Sequence, residues 1–241
     1  MPHEDYIFAF DVQTSRARSV LANRVCVRQG RAMNRYAKCL VWIAVLTILF
    51  GSMADTTRAA AIERSEETLV LIRHGEKPAD GLGQLSCQGL NRSLALPSVL
   101  TAKFGKPAFI FAPDPKQQTN DKGRHYDYIR PLATIEPTAI QLGLPVNTQF
   151  GFRDVERLRQ ELTRAKYQGA LIFVAWEHTL LASLVKDLVP QGGGDPSKVP
   201  VWEHDDFDSI YVVKLTRLDG RLSASFTRDR EGLNNQSSKC P

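Results

Sequence analysis

The sequence lacks a hydrophobic run long enough to cross a bilayer comfortably. Its longest largely apolar stretch, residues 39–50, is about a dozen residues long, whereas a transmembrane helix needs about 20. A short basic segment beginning at Met33 precedes this stretch and small residues follow it, which is the order of a secretory signal peptide. We therefore predict an exported protein, periplasmic or secreted, that meets the membrane only through this leader. An uncleaved anchor is the alternative.

The region ahead of the leader is atypical of an exported protein. Residues 1–32 mix acidic, basic and aromatic side chains without clear periodicity, and we interpret them as the result of a start codon assigned too early. Signal cleavage fits after Ala54 or Ala61, and Ala61 is favoured because the globular pattern begins soon after it. The predicted organisation is a leader of residues 1–61, with the signal peptide at 33–61, followed by one domain of residues 62–241.

The predicted domain also lacks a strong excess of positive charge. The formal net charge of the chain is +5, but residues 1–61 hold eight Lys and Arg against four Asp and Glu and so carry most of it. Nucleic-acid binding is not expected from a domain so close to neutral. The glycine run at 192–194 lacks the Lys and Ser or Thr of a nucleotide-binding P-loop.

Cysteine is scarce in the predicted domain. Cys26 and Cys39 lie in the leader, which leaves Cys87 and Cys240 in the domain. An oxidising compartment allows these two to form a disulfide, but the sequence leaves a pair of free thiols equally open.

Short apolar runs alternate with helical patterns along the domain. Strands are predicted at 69–72, 108–111, 146–150 and 170–176, and helices at 86–104, 131–142, 155–165 and 180–189, the first of them kinked or divided at Pro97. A hairpin around Asp219 and Gly220 ends the pattern, and residues 116–128 form a polar insertion. The alternation predicts a three-layer α/β/α sandwich with a mostly parallel central sheet and a terminal β-hairpin.

Two of the predicted strands end in the same way. The strand at 69–72 leads directly into Arg73 and His74, and the strand at 170–176 leads into Glu177 and His178. If these strands are parallel neighbours, both histidines lie at the carboxyl edge of the sheet, where open α/β folds bind ligands. A guanidinium beside an imidazole suits phosphate chemistry.

The order of these residues resembles the histidine phosphatase superfamily, which has the phosphoglycerate mutase-like fold. The likeness rests on the Arg-His-Gly-Glu run at 73–76, on Arg130 ahead of a helix, and on His178 after an apolar strand, and it covers nearly the whole predicted domain. The resemblance implies that His74 is the nucleophile and forms a phosphohistidine. It implies that Arg73, Arg130 and His178 bind the phosphoryl group, without a metal or other cofactor.

The acid that protonates the leaving group is not evident. Thr179 follows His178, where some members of the superfamily place an acid, which leaves Glu177, Asp154 and Glu156 as candidates. Glu177 is the preferred candidate because it lies at the expected site edge, although it could instead orient a neighbouring histidine. Without an acid, substrates with good leaving groups are favoured.

Several other polar residues have a structural interpretation. We expect Arg92 to brace a loop, and His125 and Tyr128 to lie in a surface loop rather than line the pocket. The group from His204 to Asp208 resembles a metal cluster but lacks ordered spacing, so loop capping is preferred. A cysteine phosphatase is excluded because only four residues separate Cys87 from Arg92, instead of five.

The predicted function is therefore an exported phosphatase that acts on small phosphate monoesters through a phosphohistidine on His74. A mutase is disfavoured, since that reaction belongs in the cytoplasm. Two alternatives remain open. One is a non-catalytic phospho-ligand-binding protein on the same fold, and the other is a phosphatase of envelope sugar phosphates such as lipopolysaccharide heptose phosphates. The sequence leaves the oligomeric state undetermined.

Overall fold

The computed structural model describes residues 64–241, so the predictions made for the leader lie outside the described residues. The strands are β1 (Arg64–Arg73), β2 (Phe109–Phe111), β3 (Gln118–Asp121), β4 (Arg124–Asp127), β5 (Val146–Asn147), β6 (Leu171–Trp176), β7 (Ser209–Leu218) and β8 (Arg221–Arg230). The helices are α1 (Cys87–Phe104), α2 (Arg130–Leu142), α3 (Val155–Leu162) and α4 (His178–Gln191), with short 3₁₀ turns at Ala165–Tyr167 and Pro196–Lys198.

Six of these strands form one mixed sheet in the order β5-β2-β6-β1-β7-β8. The pairs β5/β2, β2/β6 and β6/β1 are parallel, and β7 adds antiparallel to β1 before β8 closes the terminal hairpin. The predicted mostly parallel sheet with a terminal hairpin is confirmed. Because β1 and β6 are direct neighbours, the residues that follow them emerge side by side.

The alternation of side chains along β1 shows that both faces of the sheet are covered. Leu69 and Leu71 belong to a core cluster that includes leucines of α3 and α4, whereas Val70 and Ile72 belong to a second cluster that includes Leu96 of α1. Successive side chains of a strand point to opposite faces. Helix residues therefore pack on both faces of the sheet.

The first helix begins as predicted but is not interrupted. The Ser86 side chain accepts a hydrogen bond from the Gly89 backbone and caps the helix. The helix continues through Pro97 to Phe104, so the expected division at Pro97 is wrong. Pro97 is buried with Leu96 and Leu100 on the face that packs against the sheet, and tertiary packing compensates for the missing backbone donor.

Three local predictions are corrected by the structure. Strand β5 contains only Val146 and Asn147, helix α3 ends at Leu162, and the polar insertion folds into the β3–β4 hairpin. The hairpin turn is formed by Lys122 and Gly123, both at positive φ. This is the backbone twist that two-residue hairpin turns require.

The final residues return to the start of α1. Cys87 and Cys240 form a disulfide across a sequence separation of 153 residues, which decides between the two alternatives left open by the sequence. The Asn91 side chain donates hydrogen bonds to the backbone oxygens of Ser237 and Lys239 at 2.8 and 2.7 Å. Within residues 64–241, no helix has both the length and the apolar character needed to cross a membrane.

Candidate functional site

The two histidine-bearing strands end at the same edge of the sheet, as predicted. Arg73 is in register with Trp176, and the His74 backbone N–H donates to the Trp176 carbonyl at 3.1 Å. Strands β1 and β6 therefore deliver Arg73-His74 and Glu177-His178 together. The side chains of Arg73, His74, Arg130 and His178 are called the cradle below.

His74 lies at the base of the cradle as a buried, neutral imidazole. Its side chain is only 4% exposed, and Nδ1 lies 2.7 Å from the Gly75 carbonyl oxygen. A carbonyl can only accept, so Nδ1 must carry the proton and Nε2 keeps its lone pair. Burial, reinforced by the positive charge of Arg130, lowers the pKa of His74 to about 3. The ring is thus in the form needed for nucleophilic attack.

Arg73 is held by backbone oxygens rather than by a carboxylate. Its Nη1 donates to the carbonyls of Glu203, His204 and Asp206 at 3.3, 2.6 and 3.2 Å. The guanidinium carbon lies 3.8 Å from the centroid of the Phe207 ring. Burial lowers the pKa of Arg73 to about 10, so the side chain stays cationic at neutral pH and its charge is not cancelled by these partners.

Arg130 is fixed by one carboxylate and one aromatic ring. Its Nη1 donates to Asp121 Oδ2 at 2.7 Å, and its guanidinium carbon lies 4.8 Å from the centroid of the Tyr128 ring. Burial opposes ionisation of Asp121, but hydrogen bonds from Arg130 and from the Gly83 backbone outweigh it and lower the pKa of Asp121. The carboxylate is therefore charged and holds Arg130 in place.

Both arginines keep a buried donor without a partner. Neither Nε of Arg73 nor Nε of Arg130 has a hydrogen-bond partner among residues 64–241, although both atoms are buried. Buried donors are rarely left unsatisfied, and exceptions commonly mark places where a ligand supplies the acceptor. Two cationic donors near a neutral imidazole suit an anion with several oxygens, such as a phosphoryl group.

His178 and Glu177 start α4 together. Glu177 Oε2 accepts from the Leu180 backbone N–H at 2.8 Å and caps the helix, while Oε1 lies 2.6 Å from His178 Nδ1. Burial would raise the pKa of Glu177, but the adjacent His178 ring and the hydrogen bond from the Leu180 backbone outweigh it and lower this pKa to about 2. A carboxyl that is ionised at neutral pH cannot supply a proton. These contacts count against Glu177 as the general acid and favour a role in orienting His178.

The other two candidate acids lie at the start of α3. Asp154 Oδ2 accepts from the Gly151 backbone at 3.1 Å, and the exposed Glu156 forms an ion pair with Arg159. The hydrogen bond from Arg159 lowers the pKa of Glu156 to about 2. Both carboxylates have partners within their own segment, as expected for a solvated helix face.

Tyr128 is placed differently from the sequence prediction. It is only 1% exposed, and its ring makes an edge-on contact with the His74 ring at a centroid distance of 5.9 Å. The expected surface-loop position is therefore wrong for Tyr128, because the β3–β4 hairpin returns the chain to the site. His125 is exposed on that hairpin, as predicted.

Arg92 braces the loop that follows β1, as the sequence indicated. It is fully buried and donates to both carboxylate oxygens of Glu76 and to Glu231 Oε2, with Asp208 Oδ1 at 3.9 Å. Burial raises the pKa of Glu231 to about 8, although Arg92 opposes this shift. Arg92 is surrounded by carboxyl groups and has no donor directed to the cradle.

The segment from His204 to Asp208 caps a loop, also as predicted. Asp206 Oδ1 accepts from the backbone N–H groups of Asp208 and Ser209, each at 3.0 Å. In the part of the chain that the structure describes, no group of three or more His, Cys, Asp or Glu side chains could hold a metal ion. The loop contributes backbone oxygens to Arg73 and the Phe207 ring to the site.

Sequence reasoning missed three residues that shape the cradle, namely Asp121, Phe207 and Thr134. Thr134 Oγ1 accepts from the Gly75 backbone N–H at 2.9 Å and donates to the Arg130 carbonyl at 2.8 Å, so it joins the two segments. The Lys122-Gly123 pair after Asp121 was the available sequence signal for the hairpin. No comparable signal marked Phe207 or Thr134.

The loop after His74 packs directly on the start of α1. A Cβ added to Gly75 would lie 3.0 Å from backbone atoms of Gly89, and one added to Gly89 would lie 2.3 Å from the Glu76 carbonyl oxygen. Gly75 has no positive φ, so the glycine is required by this close approach rather than by an unusual turn.

A cleft of about 650 Å³ adjoins the cradle. Phe207, which covers Arg73, also lines the cleft, and so does Glu76, two residues after His74. Apolar Leu82 and Leu85 contribute to its wall, which also contains the polar side chains of Gln84, Gln88 and Ser238. The cleft is open to solvent, and its connection to the cradle is Phe207, because none of the four cradle side chains lines it.

Comparison with solved structures finds proteins whose names concern phosphoryl chemistry. A protein assigned as the phosphohistidine phosphatase SixA from Nakamurella multipartitia matches 68% of this chain and 95% of its own, with 17% identity and a TM-score of 0.46. Phosphoglycerate mutase from Plasmodium falciparum matches 68% of this chain and 89% of its own, with 10% identity and a TM-score of 0.44.

Phosphoserine phosphatase from Entamoeba histolytica is similar over 69% of this chain and 98% of its own, with 10% identity and a TM-score of 0.43. These are the kinds of protein that the sequence resemblance indicated. No family model matches the sequence, and no curated protein matches it.

Proposed function

We propose that this chain is a phosphatase of the histidine phosphatase superfamily and that it hydrolyses phosphate monoesters through a phosphohistidine on His74. The proposal rests on one observation, the presence of a neutral imidazole and unpaired cationic donors together at the cradle. A buried imidazole with a free Nε2 lies among cationic groups, and two of these keep unpaired buried donors. A nucleophile together with vacant anion-binding donors suits attack on phosphorus.

The reaction begins with attack of His74 Nε2 on phosphorus. The N–P bond forms as the bond to the ester oxygen breaks, and the leaving oxygen departs with the electron pair. Arg73, Arg130 and His178 stabilise the negative charge on the phosphoryl oxygens. Water then attacks the phosphohistidine, releasing inorganic phosphate and restoring the imidazole. The hydrogen bond from Nδ1 to the Gly75 carbonyl holds the ring orientation throughout both steps.

Proton supply to the leaving oxygen sets the expected substrate preference. Glu177 is ionised and engaged with His178 and Leu180, so we expect the leaving oxygen to take its proton from water in the open cleft. Leaving groups that need little protonation are then favoured, such as those of aryl phosphates, phosphohistidine and phosphoanhydrides.

Replacement of the nucleophile tests the proposal directly. The His74→Ala variant is expected to lose phenyl phosphate hydrolysis by at least about a thousandfold, and wild-type enzyme quenched with acid during turnover of labelled substrate should carry a phosphoryl group on His74. The matched control is His125→Ala, an exposed histidine of the β3–β4 hairpin, which should retain activity. Hydrolysis within a few-fold of wild type in His74→Ala would refute the mechanism.

A second candidate function is a non-catalytic protein that binds a phosphorylated ligand in the same cradle. The ionised state of Glu177 favours this alternative, because a binder needs no acid. The acid-quench experiment separates the two candidates, since a binder acquires no covalent phosphate. Within the enzyme class, an envelope sugar phosphate such as a heptose phosphate of lipopolysaccharide is the second substrate candidate.

Export is part of the proposal and is supported only by the sequence pattern of residues 33–61. We expect the protein to leave the cytoplasm and to begin near Ile62 after cleavage. Amino-terminal sequencing of the exported protein tests this, and a terminus upstream of Met33 would contradict it.

A further inference from the structure

The last residues of the chain contribute to the cleft beside the cradle. Ser238 lines this cleft together with Gln88 of α1 and Phe207. Phe207 also covers the Arg73 guanidinium at 3.8 Å, so the cleft and the cradle share a wall. Residues 234–241 are called the strap below.

Few contacts hold the strap on the domain. At its start, the Leu233 backbone N–H donates to Asp208 Oδ1 at 2.8 Å, and Leu233 is buried. Near its end, Cys240 is bonded to Cys87 at the first turn of α1. Between these anchors, the strap is largely exposed, and the Asn91 side chain donates to two of its carbonyl oxygens. Because exposed hydrogen bonds are individually weak, the disulfide is the main restraint on the position of Ser238.

The side chains around the cleft favour a neutral, hydrogen-bonding ligand. The charged groups on its wall have partners within the domain: Glu76 binds Arg92, and Lys77 Nζ lies 3.6 Å from Asp121 Oδ1, a carboxylate that Lys77 shares with Arg130. The Ser86 hydroxyl already caps α1, so the remaining polar groups are the amides of Gln84 and Gln88 and the hydroxyl of Ser238, beside apolar Leu82 and Leu85. Such a wall can both donate to and accept from hydroxyl groups while offering an apolar surface to a ring.

We propose that the strap, tethered by the Cys87–Cys240 disulfide, is the outer wall of a leaving-group subsite that binds a neutral, hydroxyl-bearing alcohol such as a sugar. Because the leaving oxygen of such an alcohol must take its proton from water, kcat for its phosphate is expected to be lower than kcat for phenyl phosphate, and the subsite is expected to act on KM. The inference rests on the proposed phosphatase function, because the leaving group is what extends from a phosphate bound in the cradle. Ser238 is then a specificity-determining residue, and the disulfide keeps it within reach of the substrate.

Two substrates of different reach test the subsite, namely phenyl phosphate and a disaccharide phosphate. The measured quantity is the ratio of the KM for the disaccharide phosphate to the KM for phenyl phosphate. Cys240→Ser, which frees the strap, should raise this ratio at least about fivefold, as expected for the loss of one or two hydrogen bonds. Ser238→Trp, which keeps the disulfide but fills the cleft, should raise the ratio by a similar factor.

Ser237→Trp is the matched control, because it places the same side chain on the neighbouring strap residue, which does not line the cleft. Its KM ratio should equal that of the wild type. If Cys240→Ser fails to fold, Ser238→Trp alone decides the question. An unchanged ratio in Ser238→Trp overturns the inference, and so does a lower KM for a phosphotyrosyl peptide than for the disaccharide phosphate. Loss of the proposed function itself would be recognised separately, as phenyl phosphate hydrolysis that survives His74→Ala.

Discussion

The buried arginines of this domain fall into two groups that differ in how their donors are used. Arg92 is enclosed by the carboxyl groups of Glu76, Glu231 and Asp208. Arg73 contacts only neutral backbone oxygens through Nη1, and each of the two cradle arginines keeps a buried Nε without a partner among the described residues. All three arginines are equally removed from water, so burial alone does not distinguish them.

The difference lies in the local balance of charge. Around Arg92, acid is in excess, and burial raises the pKa of Glu231 to about 8. Around His74, the positive charge of Arg130 adds to burial in lowering the pKa of the imidazole. Arg130 is itself paired with Asp121, so the feature that the two cradle arginines share is a buried donor left for an incoming anion, whereas the donors of Arg92 are taken by carboxyl groups. We propose that this unmet hydrogen-bonding capacity marks the two cradle arginines as those that bind the phosphoryl group.

Replacement of a cradle arginine should produce the largest effect. Arg130→Ala is expected to lower kcat for phenyl phosphate by about a hundred- to a thousandfold, the usual result of removing one donor to a developing oxyanion. Arg130→Lys keeps the positive charge but not the paired donors of the guanidinium, so its kcat should lie between those of Arg130→Ala and the wild type. Steady-state kinetics provide the measurement, and Arg124→Ala, which replaces an exposed arginine of the β3–β4 hairpin, is the control. A kcat within threefold of wild type in Arg130→Ala would show that Arg130 does not stabilise the phosphoryl group.

Replacement of Arg92 should act on stability instead. Arg92→Met leaves the carboxyl groups around it without their cation, and breaking a buried ion pair from one side costs about 3–5 kcal/mol. Urea unfolding should show this loss, while kcat of the folded enzyme should fall far less than in Arg130→Ala. A stable Arg92→Met enzyme with a severe loss of kcat would reverse the distinction between the two groups.

An effect of intermediate size is expected for Glu177, because it contacts the cradle only through His178. Glu177→Gln should lower kcat by about tenfold, comparable to the loss of carboxylates that orient metal-bound imidazoles. A positioning role predicts the same loss for an alkyl phosphate and an aryl phosphate. If Glu177 were the acid, the alkyl ester would suffer much more, since its leaving group needs the proton. The ratio of the two losses is therefore the measurement.

The smallest effect is expected from Glu231 and concerns pH. The pKa of Glu231 is about 8 in the folded protein and ordinary in the unfolded chain, so the folded state holds more protons between about pH 5 and pH 8. Stability contributed by Glu231 must then fall as the pH rises through this window. Urea unfolding at both pH values should show a smaller difference in Glu231→Gln than in wild type. Burial also raises the pKa of Glu67 to about 7, and its contribution should remain in the variant.

Periodicity alone was enough to predict the frame of the molecule. The apolar run that becomes β1 and the one that becomes β6 are both continuous, as buried parallel strands require, and each continues into the residues of the cradle. The prediction that His74 and His178 share an edge followed from the strands being neighbours, and the β1/β6 register confirms it. The resemblance to a known superfamily then identified Arg130, which lies far from both strands in sequence.

The partners of these residues were not predictable, because they depend on how distant segments pack. Asp121 appears in the sequence as one polar residue in a polar insertion, yet it is buried against Arg130 once the hairpin folds back. The role of Tyr128 was missed for the same reason. Whether Glu177 is an acid or an orienting group depends on distances to His178 and Leu180, which no local pattern encodes.

The close contact between Gly75 and Gly89 limits how this site can evolve. The Glu76 backbone leaves no room for a Cβ atom on Gly89, and the Gly89 backbone leaves too little room for one on Gly75 unless it shifts. Neighbouring positions can change from one type of side chain to another, as a change of substrate would require. Gly75 and Gly89 are limited instead by the space available for any side chain. The loop that contains His74 and the first turn of α1, which borders the cleft, are therefore expected to stay packed together when other residues around them change. Substitutions elsewhere in the cleft are expected to be tolerated far better than substitutions that separate these two segments.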